Sequence, residues 1–154
     1  VIGHLTWWHT GLFNTVRPVI DFDGETRASV YVLGDTPWPP ALATVGPQLL
    51  DELHATTGVR FTHALVQGYA DETADTTWHS DVTFDAQAIL SIGAPRSLGV
   101  RRVDGSDESY VPMVDGDLVY MPPGTQDEWE HSVPAELEPR GVRLALVFRT
   151  NKGI

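Results

Sequence analysis

Arg143-Leu144-Ala145-Leu146-Val147-Phe148-Arg149 is the stretch on which the reading of this chain turns. In an extended backbone side chains alternate, so Leu144, Leu146 and Phe148 share one face and Arg143, Ala145, Val147 and Arg149 the other. Two guanidiniums among apolar residues are costly unless an anion faces them. A guanidinium fork matches a carboxylate, which leaves two readings open: a bound dicarboxylate, or pairing with some of the chain's 21 Asp and Glu residues.

Outward from that strand, most of the chain reads the same way. Residues 28–33, 63–69, 87–92, 97–103, 110–114, 117–121 and 142–149 are rich in Val, Ile, Leu and Tyr. Turn signals such as Asp104-Gly105, Asp115-Gly116 and Pro122-Pro123-Gly124 bound them. Many short strands at regular intervals predict a sandwich or jelly roll. The clearest helix lies between Pro40 and Thr57, where Leu42, Val45, Leu49, Leu50 and Leu53 recur at helical spacing. Gly46-Pro47 is expected to break it, with Pro47 starting the second piece. Such a helix would pack on one face of the sheet.

A chain of 154 residues fits one domain, and 42% apolar with 20% charged residues is an ordinary globular balance, so the chain should fold. No run approaches a membrane span and no signal peptide is visible, which gives the expectation of a soluble, intracellular (cytoplasmic) protein. Cysteine is absent, so any metal must bind through His and carboxylate. A net charge of −11 opposes approach to a polyanion. That weighs against tight duplex binding and leaves short, single-stranded or small substrates.

His79-Ser80-Asp81 places two potential ligands about 6.6 Å apart on one face of an extended segment. Alone it is weak, because one His-x-acid pair is about what chance gives, and a loop hydrogen bond is then the better reading. His131, in Trp129-Glu130-His131-Ser132-Val133-Pro134, could supply a third ligand from a polar segment just after a turn. Two His and one carboxylate form the facial triad of non-haem Fe(II) oxygenases, whereas catalytic zinc of this composition usually draws both His from one helix, and no His-x-x-x-His occurs here. His4, His9, His54 and His63 have no comparable acid partner.

In order, these pieces resemble the AlkB family of 2-oxoglutarate dioxygenases. The resemblance runs from Arg17-Pro18 and Phe22-Asp23-Gly24 through Tyr31 and Pro37-Trp38-Pro39 to Gln67-Gly68-Tyr69 and Trp78-His79-Ser80-Asp81. It continues in Leu90-Ser91-Ile92-Gly93-Ala94-Pro95-Arg96, Asp115-Gly116-Asp117-Leu118, Gly124-Thr125-Gln126 and the His131 segment, and it ends with Arg143 and Arg149.

The resemblance implies a mainly β (α+β) fold, a double-stranded β-helix or jelly roll with flanking helices outside. It implies one AlkB-like domain over 1–154, with a lid-like segment at 1–38 and the catalytic jelly roll at 63–150. His79, Asp81 and His131 would then ligate Fe(II), with no catalytic residue beyond them. Arg143 and Arg149 would grip 2-oxoglutarate, with Tyr69 and Gln67 beside it, and O2 would be the second co-substrate. The implied activity is oxidative demethylation or hydroxylation of an N-alkylated nucleobase in DNA, RNA or a nucleotide, with single-stranded nucleic acid or a nucleotide as partner and no membrane. The alternative is an AlkB-like hydroxylase of a protein side chain or small metabolite.

Several positions depart from the family pattern. Gln67 stands where Asn is usual two residues before the tyrosine, and Ala145 where Asn commonly follows the first arginine. Val82-Thr83 replaces the acidic residue that reads a base's amino group. The substrate-side candidates are Phe22, Tyr31, Trp78 and Thr83, with Trp7 as a further lid aromatic; core packing is the competing reading of the lid aromatics. Arg96, Arg101 and Arg102 form either a phosphate-binding patch or solvated strand residues balancing nearby acids.

Overall fold

The computed structural model describes residues 2–4 and 11–152, with side chains from residue 11 onward; Trp7 lies outside the described residues. The elements are β1 (Ile2–His4), α1 (Leu12–Val16), β2 (Arg27–Leu33), α2 (Val45–Thr57), β3 (His63–Tyr69), β4 (Thr76–His79), β5 (Phe84–Gly93) and β6 (Arg96–Arg102). They continue with β7 (Ser109–Met113), β8 (Asp117–Met121), α3 (Thr125–Glu128), β9 (Trp129–Val133) and β10 (Arg143–Asn151).

The strands form two antiparallel sheets, one ordered β1-β8-β5-β10-β3-β2 and the other β4-β9-β6-β7. From β3 onward the chain alternates between them: β3, β5, β8 and β10 enter the larger sheet, and β4, β6, β7 and β9 the smaller. This winding makes the fold a jelly roll, a double-stranded β-helix, with its helices outside.

The alternation read from the 143–149 stretch governs the packing. Leu144, Leu146 and Phe148 join Ala64, Val66, Ala88 and Leu90 on the outer face of the larger sheet, under Leu42, Leu49 and Leu53. Burying each such Leu or Phe contributes roughly 1.5–3 kcal/mol. Ala145 and Val147 face the other way, with Leu65 and Ile89, and meet Leu98, Met113 and Val133 of the smaller sheet. Because helices cover one face and a second sheet the other, β5 and β10 are buried along most of their length.

The seven predicted strands all coincide with strands, displaced only at their ends. β4 and β9 were not among them. Neither carries an apolar alternation: β4 turns Thr76 and His79 to the interior, and in β9 His131 holds the inward position before Val133. The helix break also falls earlier than expected. A 3-10 turn covers Pro40–Leu42, and α2 starts at Val45, so Gly46-Pro47 lies within its first turn. The missing N–H of Pro47 is one of the first-turn donors that lack an intrahelical acceptor anyway, so the helix continues through it. Among the described residues no helix is long and apolar enough to cross a membrane.

Candidate metal centre

His79 closes β4, and the β4–β9 register sets it directly opposite His131. The imidazole centroids are 4.3 Å apart. Asp81 follows in the segment leading to β5, and its carboxylate reaches both rings: Oδ1 lies 3.8 Å from Nε2 of His79, and Oδ2 lies 3.5 Å from Nε2 of His131. One donor atom from each residue falls within 4.8 Å of the other two. A weak sequence pair and a distant histidine thus become one cluster through strand register.

Neighbouring groups hold each of these side chains in place. Nδ1 of His79 donates to the Thr77 carbonyl at 2.8 Å, which turns Nε2 to the Asp81 side. The Asp81 N–H donates to Oε1 of the buried Gln126 at 2.9 Å, and the Ser80 hydroxyl donates to the Trp129 carbonyl at 2.7 Å. Gln126 belongs to α3, so this short helix anchors the loop that carries the carboxylate.

The electrostatics suit a cation. Burial alone would raise the pKa of Asp81, but His131, Arg149 and His79 outweigh it and hold the carboxyl at about 2. Burial pushes His131 below the usual histidine range, with Asp81 opposing, so its imidazole is neutral near pH 7. Oδ2 of Asp81 is buried and has no hydrogen-bond partner. A buried carboxylate oxygen without a donor is costly, and a metal ion would satisfy it. Two imidazoles and one carboxylate on one side of an ion are the donor set of non-haem Fe(II) sites, and these residues fit it.

From the cluster a cleft runs between the sheets toward Arg143, bordered by Gln67, Tyr69, Thr76, Ile89 and Val147. Arg143 is 1% exposed and Arg149 7%. Among the described residues no carboxylate pairs with Arg143; its Nε donates to the Ser91 hydroxyl at 3.0 Å, and its guanidinium lies 5.1 Å from the Tyr69 ring centre. Burial lowers its pKa, yet a guanidinium remains charged. Arg149 donates from Nε to Oε1 of Gln87 at 3.0 Å and reaches within 3.5 Å of Asp81. Of the two readings open for the arginine pair, Arg149 thus takes an internal acid in part, and Arg143 does not. Tyr69, 1% exposed, shares a 2.9 Å hydrogen bond with Thr76.

The substrate-side candidates scatter. Gly68 alternates with Gln67 and Tyr69, and a Cβ added to it would meet Phe22 and Ile20. Phe22 therefore packs on the helix-covered face of the larger sheet, away from the cleft. Trp78 lies against Gly99 and under the Arg101 guanidinium, on the outer face of the smaller sheet. The structure brings neither to the metal cluster. Tyr31 is 67% exposed, and Thr83 is exposed in the turn after Asp81.

The three arginines considered for phosphates are committed elsewhere. Arg96 is buried on the carbonyls of Asp71, Ala74 and Pro134. Arg101 pairs with Glu130, and Arg102 with Asp107. Gln87, Ser91 and Gln126 orient Arg149, Arg143 and Asp81. Ser91 and Gln126 stand in the motif pieces quoted above without a role of their own, and Gln87 was not singled out; its one signal was to be polar, four residues before Ser91, on the same face of an apolar strand.

Comparison with known proteins agrees with this geometry. The family model of the 2OG-Fe(II) oxygenase superfamily matches residues 9–149. Over 127 residues the chain is 34% identical to the alpha-ketoglutarate-dependent dioxygenase alkB homolog 3 of Rattus norvegicus, covering 73% of this chain and 42% of that protein. It is 33% identical to the Homo sapiens protein of the same name over 127 residues, covering 73% and 43%. The alignment with these curated relatives thus spans less than half of their length. Among solved structures, that of OsALKBH1 superposes with a TM-score of 0.62 at 17% identity, over 82% of this chain and 78% of the other, a likeness of fold.

Proposed function

This chain belongs to the 2OG-Fe(II) oxygenase superfamily, with AlkB homologues among its relatives, and from that premise we propose that it is an Fe(II)- and 2-oxoglutarate-dependent dioxygenase that removes N-alkyl groups from nucleobases. The observation that carries the reading is the His79, Asp81 and His131 cluster at the end of a cleft that also holds two buried arginines. AlkB-like motif order supports the nucleobase.

In this reading His79, Asp81 and His131 would hold the metal, presenting two imidazole nitrogens and one ionised carboxylate oxygen. Iron held there, with 2-oxoglutarate and O2 as co-substrates, supplies the oxidation of a substrate C–H bond to C–OH, coupled to decarboxylation of 2-oxoglutarate to succinate. The protein's part is to position and to exclude water. Arg143 offers its charge at the end of the cleft far from the cluster, where Ser91 and Tyr69 fix the guanidinium and where it can pair with a carboxylate in two-point fashion. Arg149 places a second positive charge beside Asp81, and Gln87 keeps it there. Tyr69 and Gln67 add polar contacts along the cleft, while Ile89 and Val147 line it with hydrocarbon that keeps water out.

The test is release of succinate and formaldehyde from methylated oligonucleotides and nucleosides by purified protein supplied with Fe(II) and 2-oxoglutarate. Stoichiometric formation of both is the expected result. Absence of succinate from every methylated base would end the proposal.

A further inference from the structure

The two glutamines that orient Asp81 and Arg149 end on one atom, the sulfur of Met121, and no part of the mechanism above uses it. Gln126 accepts the Asp81 N–H at Oε1, and its Nε2 donates to Met121 Sδ at 3.3 Å. Gln87 accepts Arg149 Nε at Oε1, and its Nε2 lies 4.0 Å from the same sulfur. The β5–β8 register sets Gln87 directly opposite Met121, while Gln126 follows five residues later in α3. Exposure is 1% for Gln87, 2% for Gln126 and 5% for Met121, so the protein itself must satisfy both amides. Met121 and His131 line one cavity of about 260 Å³, which puts the thioether beside the metal cluster.

A primary amide can be turned end for end with almost no change of shape, and only its partners decide which end is oxygen. The Asp81 N–H and Arg149 Nε are donors, so each needs the carbonyl end. The NH2 end then points into the core, where an N–H without an acceptor is costly. Among the described residues Met121 Sδ is the one acceptor that either amide nitrogen reaches. Without the sulfur both amides gain by turning toward other acceptors, and their carbonyls leave Asp81 and Arg149.

A thioether suits this place for a reason beyond acceptance. Its sulfur is polarizable and weakly accepting, and the unbranched side chain bends to meet two donors at once. A carboxylate at the same position would accept more strongly, but it would also attract Arg149 and offer an ion a hard oxygen ligand beside Asp81. Methionine thus holds the amides without competing for either charge. Met113, the chain's other methionine, is fully buried in the same inner core, and among the described residues no amide reaches its sulfur.

We propose that Met121 is a positioning residue of the metal centre, whose sulfur locks the Gln126 and Gln87 amides and so keeps the Asp81 loop and the Arg149 guanidinium in place relative to each other. The inference rests on the dioxygenase reading and deepens it. One uncharged atom ties the metal-binding carboxylate to the positive charge that stands 3.5 Å from it.

Met121→Leu keeps the hydrocarbon volume and removes the acceptor, and Met113→Leu is the matched change at a sulfur without an amide. Calorimetry measures Co(II) binding to each full chain, then 2-oxoglutarate binding to the Co(II)-loaded protein without O2. Met121→Leu should weaken Co(II) about tenfold and 2-oxoglutarate about threefold, while both affinities of Met113→Leu stay within about twofold of the parent. In a Gln126→Ala background Met121→Leu should lower Co(II) affinity no further, because the sulfur acts through that amide. Unaltered Co(II) affinity in Met121→Leu overturns the proposal. So does a full, additive loss in the double variant, since a packing role would not depend on Gln126. A second measurement needs no change at Met121. In selenomethionine-labelled protein, which holds two seleniums, Gln126→Ala should displace one selenium NMR resonance and leave the other in place. Two unmoved resonances overturn the proposal as well. If the parent binds no Co(II), the dioxygenase reading falls and takes this inference with it. If the parent binds Co(II) and Met121→Leu binds it equally, only the inference falls.

Discussion

The hydroxyl of Ser91 accepts a 3.0 Å hydrogen bond from Nε of Arg143, across the β5–β10 pair and inside the core. This contact fixes the direction in which the guanidinium presents its remaining N–H groups to the cleft. Ser91→Ala should raise KM for 2-oxoglutarate by up to about tenfold, with kcat changed by no more than about twofold, because the charge stays and only its aim is lost. Steady-state kinetics with varied 2-oxoglutarate measures the split. An unchanged KM would remove Ser91 from the positioning of the co-substrate.

Removing one of the three converging donors should abolish the metal site while sparing the fold. His131→Ala leaves Asp81 and His79, which are too few to compete with water for a divalent ion. Affinity for Co(II), followed by its visible absorption, should fall by at least about a hundredfold. The far-ultraviolet circular dichroism should stay as in the parent protein. Retention of tight Co(II) binding would show that the ion sits elsewhere.

Asp81 makes the metal-free protein sensitive to acid. Its folded-state pKa of about 2 lies below the ordinary value of 3.8, so the stabilisation is full above about pH 4 and is lost as pH falls through about 2. The loss should be on the order of 2 kcal/mol. Urea denaturation between pH 2 and 6, in the presence of a chelator, should show this slope in the parent and not in Asp81→Asn. An identical slope in the variant would assign the acid sensitivity to other carboxylates.

Phe22 should matter for stability and not for chemistry. A Cβ at Gly68 would stand 2.7 Å from its ring, so Gly68→Ala should cost about 1–3 kcal/mol through overpacking and lower Tm by several degrees. Affinity for 2-oxoglutarate should not change, since Phe22 and the cleft lie on opposite faces of the sheet. Differential scanning calorimetry together with a binding titration tests both halves. A large drop in 2-oxoglutarate affinity without a fall in Tm would contradict the assignment of faces.

What could be read in the sequence follows from which interactions are periodic. Strands buried on both faces, such as β5 and β10, announce themselves by apolar runs, and the parity of Arg143 and Arg149 against Leu144, Leu146 and Phe148 is preserved in the structure. β4 and β9 could not be read because His79 and His131 occupy inward positions that an ordinary strand gives to hydrocarbon. Their pairing depends on register across 52 residues of chain, between residues 79 and 131, and no local pattern encodes that. The roles of Gln87, Ser91 and Gln126 escaped for the same reason, since each acts through a partner far along the chain. The substrate-side aromatics show the reverse. Phe22 and Trp78 sit in motif-like surroundings, yet burial of hydrocarbon, which any aromatic ring can supply, is what places them.

The central strand β10 carries hydrocarbon on its even-numbered positions and the two guanidiniums on its odd ones. A slip of one residue against β3 and β5 would exchange the two sets, driving both positive charges into the layer beneath α2 and turning Leu144, Leu146 and Phe148 toward the cleft. Such a misregistered chain would bury unpaired charge and lose its main core at once, so it could not persist as a folded but inactive species. Proofreading of the fold and competence of the site are therefore one event, decided by the same seven residues.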